Sequence, residues 1–71
     1  MVNSNMLKKK IDDSGMKIKY VAVQIGLTPA GFYKKINNES EFKVSEVVAL
    51  TRVLGLSSNE RDEIFFGSNV A

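Results

Sequence analysis

The stretch GLTPAGFYKKI, residues 26 to 36, contains the signals of a helix end, a tight turn and a new helix. Gly26 can adopt the left-handed conformation that ends one helix. Thr28 can cap the next helix with its side-chain oxygen, and Pro29 suits the first helical position because its missing N–H would have no partner there. The stretch therefore predicts two helices joined by a tight turn.

Apolar residues on both sides of this turn predict a shared core. Before the turn, the i, i+3, i+4, i+7 spacing of one helical face is occupied by Ile18, Val21, Ala22 and Ile25. After the turn, Phe32 and Ile36 lie four residues apart and share a face. The remaining side of the second helix is expected to face outward, and an outward helix of this kind can enter the major groove of DNA.

The segment VAVQIGLTPAGFYKKI, residues 21 to 36, resembles the helix-turn-helix of the Cro and phage-repressor family. That family has an alanine at the place of Ala22, a glycine at Gly26 and a polar helix cap at Thr28. With the flanking helices included, the similarity covers residues 5 to 66. The resemblance implies an all-α, lambda-repressor-like bundle of five short helices in a single domain.

The resemblance also implies a function, that of a Cro-type transcriptional repressor from a phage or mobile element. Such a protein binds double-stranded DNA at a pseudo-palindromic operator, and two copies on a two-fold axis place their recognition helices about 34 Å apart. The residues then expected to face base edges are Pro29, Ala30, Tyr33 and Lys34. The residues expected to bind phosphates or the sugar-phosphate backbone are Lys17, Lys19, Thr28 and Asn37.

Two features of the chain depart from the family pattern. The family often begins its second helix with a glutamine that binds a phosphate, whereas this chain has Ile18, so the flanking Lys17 and Lys19 are expected to supply the contact. Some members bury an Arg–Glu pair at the positions of Ile11 and Ile36. Packed aliphatic residues can replace such a pair, because two charges then need not be desolvated.

The composition argues against several classes of protein. The chain of 71 residues contains neither cysteine nor histidine, which removes disulfides, thiolate ligands and the commonest acid/base catalyst. Its serines have no histidine to activate them, and Asp12 and Asp13 point about 100° apart on a helix. We therefore expect no enzymatic activity, no cofactor and no metal site.

The sequence also bears on localisation. No apolar run approaches the roughly 20 residues that a bilayer span requires, and the N-terminus lacks the apolar segment of a signal peptide. We therefore expect a cytoplasmic protein without a membrane partner.

Charge is distributed unevenly, although the net charge is only +2. Residues 1 to 38 contain seven lysines and two aspartates, a balance of +5, whereas residues 39 to 71 contain three basic and six acidic residues, a balance of −3. The half with the predicted recognition helix is thus the basic half, as phosphate binding requires. The alternative is that the lysines only solvate helix surfaces, especially in the run at residues 8 to 10.

Cap and spacing signals predict the other helices. The first should cover residues 3 to 14, with Ser4 or Asn5 as its cap. The second should cover residues 16 to 25, within a helix-turn-helix of about residues 17 to 36. The fourth should cover residues 44 to 54, with a core-facing stripe made of Val44, Val47, Val48, Leu50, Thr51 and Leu54.

The C-terminal part has a capping box at Ser57 and Glu60, which predicts a fifth helix over residues 58 to 66. Its apolar end is large for so small a domain to hide, and it predicts a dimer or partner interface made of Ile64, Phe65 and Phe66. The alternative is that all three residues pack on the core. Residues 67 to 71 are predicted to be a frayed tail.

Two residues of the loop after the recognition helix have alternative interpretations. Asn37 either contacts the DNA backbone or only caps the helix, and Phe42 is interpreted as a core residue in preference to a platform for a base. The apolar end of the fifth helix and the weak net charge also support a second hypothesis. In this alternative the same fold binds another repressor protein, as an antirepressor or co-repressor.

Overall fold

A computed structural model describes residues 1–67, and every regular element in this range is an α-helix. The five helices are α1 (Ser4–Asp13), α2 (Ile18–Gln24), α3 (Pro29–Ile36), α4 (Val44–Leu54) and α5 (Ser58–Phe65). The predicted all-α bundle of five short helices is confirmed. Of the predicted frayed tail, residues 68 to 71 lie outside the described residues.

The start of α1 differs from its prediction. Asn3 is the N-cap, and its Oδ1 accepts a hydrogen bond from the backbone N of Met6 at 3.1 Å. The expected cap, Ser4 or Asn5, was wrong because Ser4 already belongs to the helix and has another role. Its hydroxyl donates to the backbone oxygen of Ile36 and so joins the start of α1 to the end of α3.

The second helix is shorter than predicted at both ends. Lys17 is its N-cap in an extended conformation, and Ile25 is its C-cap. Met16 lies before the helix, partly buried against the core, and its backbone N donates to the Ser14 hydroxyl at 3.1 Å. Residues 16 and 17 therefore precede α2, after a turn at residues 14 and 15.

The core draws on all five helices. Its buried apolar residues are Leu7, Ile11, Val21, Ala22, Ile25, Phe32, Ile36, Val47, Leu50, Leu56, Ile64 and Phe65. Ile11 and Ile36 are both buried in this cluster. Phe42 packs edge-to-face on Phe32 and Phe65, with ring centroids 6.1 and 5.4 Å apart, which confirms it as a core residue.

The predicted core stripe of α4 was wrong at two positions. Val47 and Leu50 are buried, but Val44 and Val48 are exposed. The two exposed valines lie four residues apart, so they share one edge of α4, rotated away from the buried face. Only α2 and α5 pack extensively on α4, and this contact is too narrow to cover an apolar stripe of six residues.

A polar contact joins α3 to α4. Lys35 Nζ lies 2.6 Å from Glu46 Oε1, and both side chains are almost completely buried. The same carboxylate oxygen accepts a hydrogen bond from the backbone N of Lys43 at 2.8 Å, which caps α4. Burial by itself would raise the pKa of Glu46, but the hydrogen bonds from Lys35 and Lys43 outweigh it and bring the pKa below its ordinary value of 4.5.

A second ion pair, between Lys10 and Glu60, joins α1 to α5. The hydrogen bond from Lys10 lowers the pKa of Glu60, and a second hydrogen bond from the backbone N of Ser57 acts in the same direction. The reciprocal bond, from the Glu60 backbone N to the Ser57 hydroxyl, completes the predicted capping box. Glu60 thus both caps α5 and fixes it against α1.

Candidate nucleic-acid interface

The turn between α2 and α3 has the geometry that its sequence predicts. Gly26 has φ +79°, a conformation that favours glycine, and the backbone N of Leu27 donates to the Ala22 oxygen at 2.9 Å. Thr28 is the N-cap of α3, because its Oγ1 accepts a hydrogen bond from the backbone N of Gly31 at 3.0 Å. The turn therefore fixes where α3 begins and which side of it faces outward.

The outward edge of α3 is accessible. Phe32 and Ile36 are buried in the core, whereas Tyr33 is 47% exposed and Lys34 is also exposed. Ala30 is exposed in the first turn, and Pro29 beside it is half-buried. The predicted helix is confirmed, and so is the outward direction of Ala30, Tyr33 and Lys34, whereas Pro29 is only partly exposed. The contact of all four residues with bases stays a prediction.

Gly31, in the middle of this edge, is explained by the cap. A Cβ added at Gly31 would lie 3.1 Å from Thr28 Oγ1, closer than most side-chain contacts. Glycine at this position therefore leaves room for the hydroxyl that caps α3. The cap also leaves the hydroxyl proton of Thr28 free, since an oxygen that accepts one bond can still donate another.

The predicted phosphate-binding residues all lie on the surface. Lys17, Lys19, Thr28 and Asn37 are exposed, the two lysines at the start of α2 and Asn37 at the C-cap of α3. Asn37 caps the helix through its backbone, as the alternative interpretation expected, while its side chain remains accessible. The neighbouring Asn38 has a structural role, because its side-chain amide bonds the backbone N and O of Val2 at 2.7 and 3.0 Å.

The fold brings part of this set together around one surface depression of about 630 Å³. Tyr33 from α3, Lys17 from the start of α2 and Lys8 from α1 line it, and so does the acidic Asp12 of α1. Sequence reasoning treated the lysine run of α1 as a group and did not select Lys8. The structure separates its members, because Lys9 pairs with Asp13 at 3.2 Å and Lys10 pairs with Glu60.

Ion pairing divides the basic residues of the described chain into two groups. Lys9, Lys10, Lys35 and Arg61 each have an acidic partner within residues 1–67. The basic residues without an ion pair in this range are Lys8, Lys17, Lys19, Lys34, Lys43 and Arg52. The lysines expected to contact DNA all belong to the second group, so none of them has a carboxylate within ion-pair distance in the described chain.

The contrast is sharpest between neighbours on α3. Lys34 is exposed and has no ion pair in the described chain, whereas Lys35 is nearly buried against Glu46. Consecutive helical residues point about 100° apart, so one lysine faces the solvent and the next faces α4.

The prediction of a dimer or partner interface at the end of α5 was wrong for two of its three residues. Ile64 and Phe65 are buried in the core, so they cannot contact a partner while the domain stays folded. Phe66, the C-cap of α5, is exposed and remains available. Phe65 is the last residue of α5 and packs in the core, whereas Phe66 lies just beyond the helix end and faces the solvent.

Residues 1–67 contain neither of two other kinds of site. Among the helices of residues 1–67, none has the length and apolar character that a membrane crossing needs. In the same range, no group of three or more acidic side chains is placed to hold a metal ion.

The scan against protein-family models, the search of curated proteins and the search of solved structures each found no match to this chain.

Proposed function

We propose that this protein is a sequence-specific DNA-binding transcriptional regulator, of the Cro type, in which α3 is the recognition helix. The observation that carries the proposal is the accessible edge of α3, with Tyr33 and Lys34, beside lysines that have no ion pair within residues 1–67. A helix that is fixed by a cap, carries polar groups outward and lies in a basic region has the features required to enter a major groove.

Each part of the surface has a distinct role in this proposal. Lys34 donates hydrogen bonds to guanine O6 or N7, and the apolar surface of Ala30 or Pro29 contacts a thymine methyl group. Lys17 and Lys19 bind phosphates as mobile charges, and Thr28 donates its free hydroxyl proton to a phosphate oxygen. Asn37, at the C-terminal end of α3, contacts the sugar-phosphate backbone of the DNA. Lys8, which shares a depression with Lys17 and Tyr33, is an additional phosphate contact.

The proposal includes two copies of the chain on one operator. One domain of this size offers few base contacts, whereas two copies double both the base contacts and the phosphate contacts. The principal extents of the molecule are 34 × 24 × 21 Å, and adjacent copies separate equivalent points by distances of this order. The separation required along DNA, about 34 Å for one helical turn, lies within that range.

The first test is selection of bound duplexes from a random DNA pool by the full chain. We expect a pseudo-palindromic sequence with half-sites about one helical turn apart. Failure to enrich any sequence would contradict the proposal.

The second test compares two variants that each lose one positive charge. Lys34→Ala should weaken binding to the selected duplex by about 1 to 3 kcal/mol and relax the preference at one base pair. Arg52→Ala, in the last turn of α4, is the matched control and should have little effect on the preference. Fluorescence anisotropy with selected and scrambled duplexes measures both, and equal losses on the two duplexes would mean that Lys34 contacts only phosphate.

The alternative, a module that binds another repressor protein, has less support. Of its three predicted contact residues, only Phe66 is exposed.

A further inference from the structure

Hydrogen bonds join the first residues of the chain to the loop that follows α3. The backbone N of Val2 donates to Asn38 Oδ1 at 2.7 Å, and Asn38 Nδ2 donates to the Val2 backbone oxygen at 3.0 Å. The same Nδ2 donates to the Ser4 hydroxyl oxygen at 3.2 Å. One amide side chain therefore satisfies both backbone groups of Val2 and also contacts the first turn of α1.

Asn38 adopts a backbone conformation that usually favours glycine. Its φ is +64°, and within residues 1–67 it is the one residue other than glycine with a positive φ. Asparagine tolerates this conformation better than most residues, but glycine adopts it without steric cost. Glycine has no side-chain amide, however, and could not bind Val2 and Ser4. The contacts of the amide therefore explain why asparagine occupies this position.

The backbone of Asn38 also takes part in ending α3. Its N–H donates to the Lys35 oxygen at 3.2 Å, and the N–H of Glu39 donates to the Lys34 oxygen at 2.8 Å. These two hydrogen bonds form a Schellman motif, which satisfies carbonyl groups that the helix itself leaves without donors. The conformation of Asn38 thus determines how the last turn of α3 closes.

The N-terminal segment that Asn38 binds is held by other helices. The Ser4 hydroxyl donates to the backbone oxygen of Ile36, the last residue of α3. The backbone N of Asn3 donates to the Ile64 oxygen of α5 at 2.8 Å. Residues 2 to 4 therefore connect the end of α3 to both α1 and α5, and Asn38 completes this connection.

We propose that Asn38 is a positioning residue for the recognition helix. Its side chain fixes the C-terminal half of α3 against residues 2 to 4, and so sets the direction in which Lys34 and Asn37 face DNA. The N-terminal half is already fixed by the turn after α2 and by the Thr28 cap. A helix of eight residues is marginal by itself, so its second end needs contacts with other elements. The role in DNA binding rests on the proposed function, whereas the fixing of α3 is measurable without DNA.

Hydrogen exchange followed by NMR measures the fixing of α3. Asn38→Gly removes the amide but keeps a residue that adopts a positive φ. Protection of the Val2 and Asn37 amide protons should fall at least about fivefold, because the end of α3 opens more often. Ser40→Gly is the matched control, since Ser40 is exposed in the same loop and takes no part in these hydrogen bonds. It should change the protection less than about twofold, and equal protection in the two variants would overturn the proposal.

Binding to the selected duplex measures the effect on DNA recognition. Ser4→Ala removes the hydroxyl that binds Ile36, whereas Ser4→Thr retains a hydroxyl. At a temperature where circular dichroism shows all variants folded, Asn38→Gly and Ser4→Ala should raise the Kd at least about fivefold, and Ser4→Thr less than about twofold. A purely stabilising role would leave the Kd of the folded protein unchanged.

The outcomes separate this inference from the proposed function. If the unaltered protein binds the selected duplex and Asn38→Gly and Ser4→Ala bind it equally well, the positioning role is overturned and the proposed function stands. If the unaltered protein binds no duplex, the proposed function fails, and the role of Asn38 in DNA binding fails with it.

Discussion

Two surfaces of this small domain expose different kinds of side chain, one basic and the other apolar. The basic surface of α2 and α3 exposes Lys17, Lys19 and Lys34, which have no ion pair within the described residues. The junction of α4 and α5 exposes Val44, Val48 and Phe66 instead. Water hydrates a lysine side chain at little cost but leaves an apolar group with an unfavourable hydration free energy. The two surfaces therefore differ in chemistry, and only the lysines, taken as a group, favour an anionic partner.

The largest expected effect is the response of DNA binding to salt. Two copies that each supply Lys8, Lys17 and Lys19 to phosphates should lose about 10³-fold in DNA affinity between 50 and 200 mM salt. Apolar contacts should respond little over the same range, since salt screens charges and leaves apolar contacts intact.

Anisotropy titrations in a series of buffers of increasing salt concentration measure this loss. A DNA affinity that is insensitive to salt would contradict the proposed role of the lysines.

The next effect concerns the ion pair that holds α3 against α4. Glu46→Ala should lower the free energy of unfolding by about 2 to 3 kcal/mol, because it leaves Lys35 buried without a partner and removes the cap of α4. Urea denaturation measures this loss. Glu63→Ala, on the exposed side of α5, is the control and should change stability by less than about 0.5 kcal/mol.

A similar cost in both variants would mean that the Lys35–Glu46 contact does not fix α3. The orientation of the basic surface would then need another explanation.

The pH dependence of stability tests two ion pairs together, Lys35–Glu46 and Lys10–Glu60. Both carboxyls have a pKa below the ordinary value of 4.5 in the folded protein, so they bind protons less readily than in the unfolded chain. Their contribution to stability is present above about pH 4.5 and is lost as the pH falls through the lowered folded-state values. Urea denaturation at a series of pH values should therefore show stability decreasing on the acid side.

Glu46→Gln removes one of the two titrating groups while keeping the shape of the side chain. Its stability should depend less steeply on pH in the acid range than that of the unaltered protein. An unchanged slope would assign the acid sensitivity to other carboxyls.

The smallest expected effect is on the stability of Lys34→Ala. Lys34 is exposed and has no ion pair in the described chain, so this change should alter the free energy of unfolding by less than about 0.5 kcal/mol. Lys35→Ala is the comparison, because it removes the partner of Glu46. This variant should lower the free energy of unfolding considerably more than Lys34→Ala does. Thermal and urea unfolding of the two variants measure the difference, and a destabilised Lys34→Ala would show that this residue supports the fold.

Much of the fold follows from local signals. Gly26, Thr28 and Pro29 place the turn and the start of α3, and the Ser57–Glu60 capping box places α5. The candidate site was predicted to the extent that it depends on one helix, since the apolar positions of Phe32 and Ile36 determine that Tyr33 and Lys34 face outward.

The errors arose where environment depends on neighbouring helices. Periodicity assigned Val44 and Val48 to the core, but the helices that pack on α4 leave that edge uncovered. The apolar run at the end of α5 suggested an interface of three residues, but two of them, Ile64 and Phe65, are buried in the core. Lys8 was not selected, because only the fold brings α1 beside Lys17 and Tyr33.

The amino-acid sequence by itself determined the number of helices, their approximate limits and the outward edge of α3. These properties depend on caps, glycines and periodic apolar residues within one or two turns of the chain. Only the tertiary structure decided which charges are neutralised and which apolar residues are left uncovered. Lys35 and Glu46 are 11 residues apart and Lys10 and Glu60 are 50 apart, so their pairing depends on how separate helices pack, which no local pattern specifies.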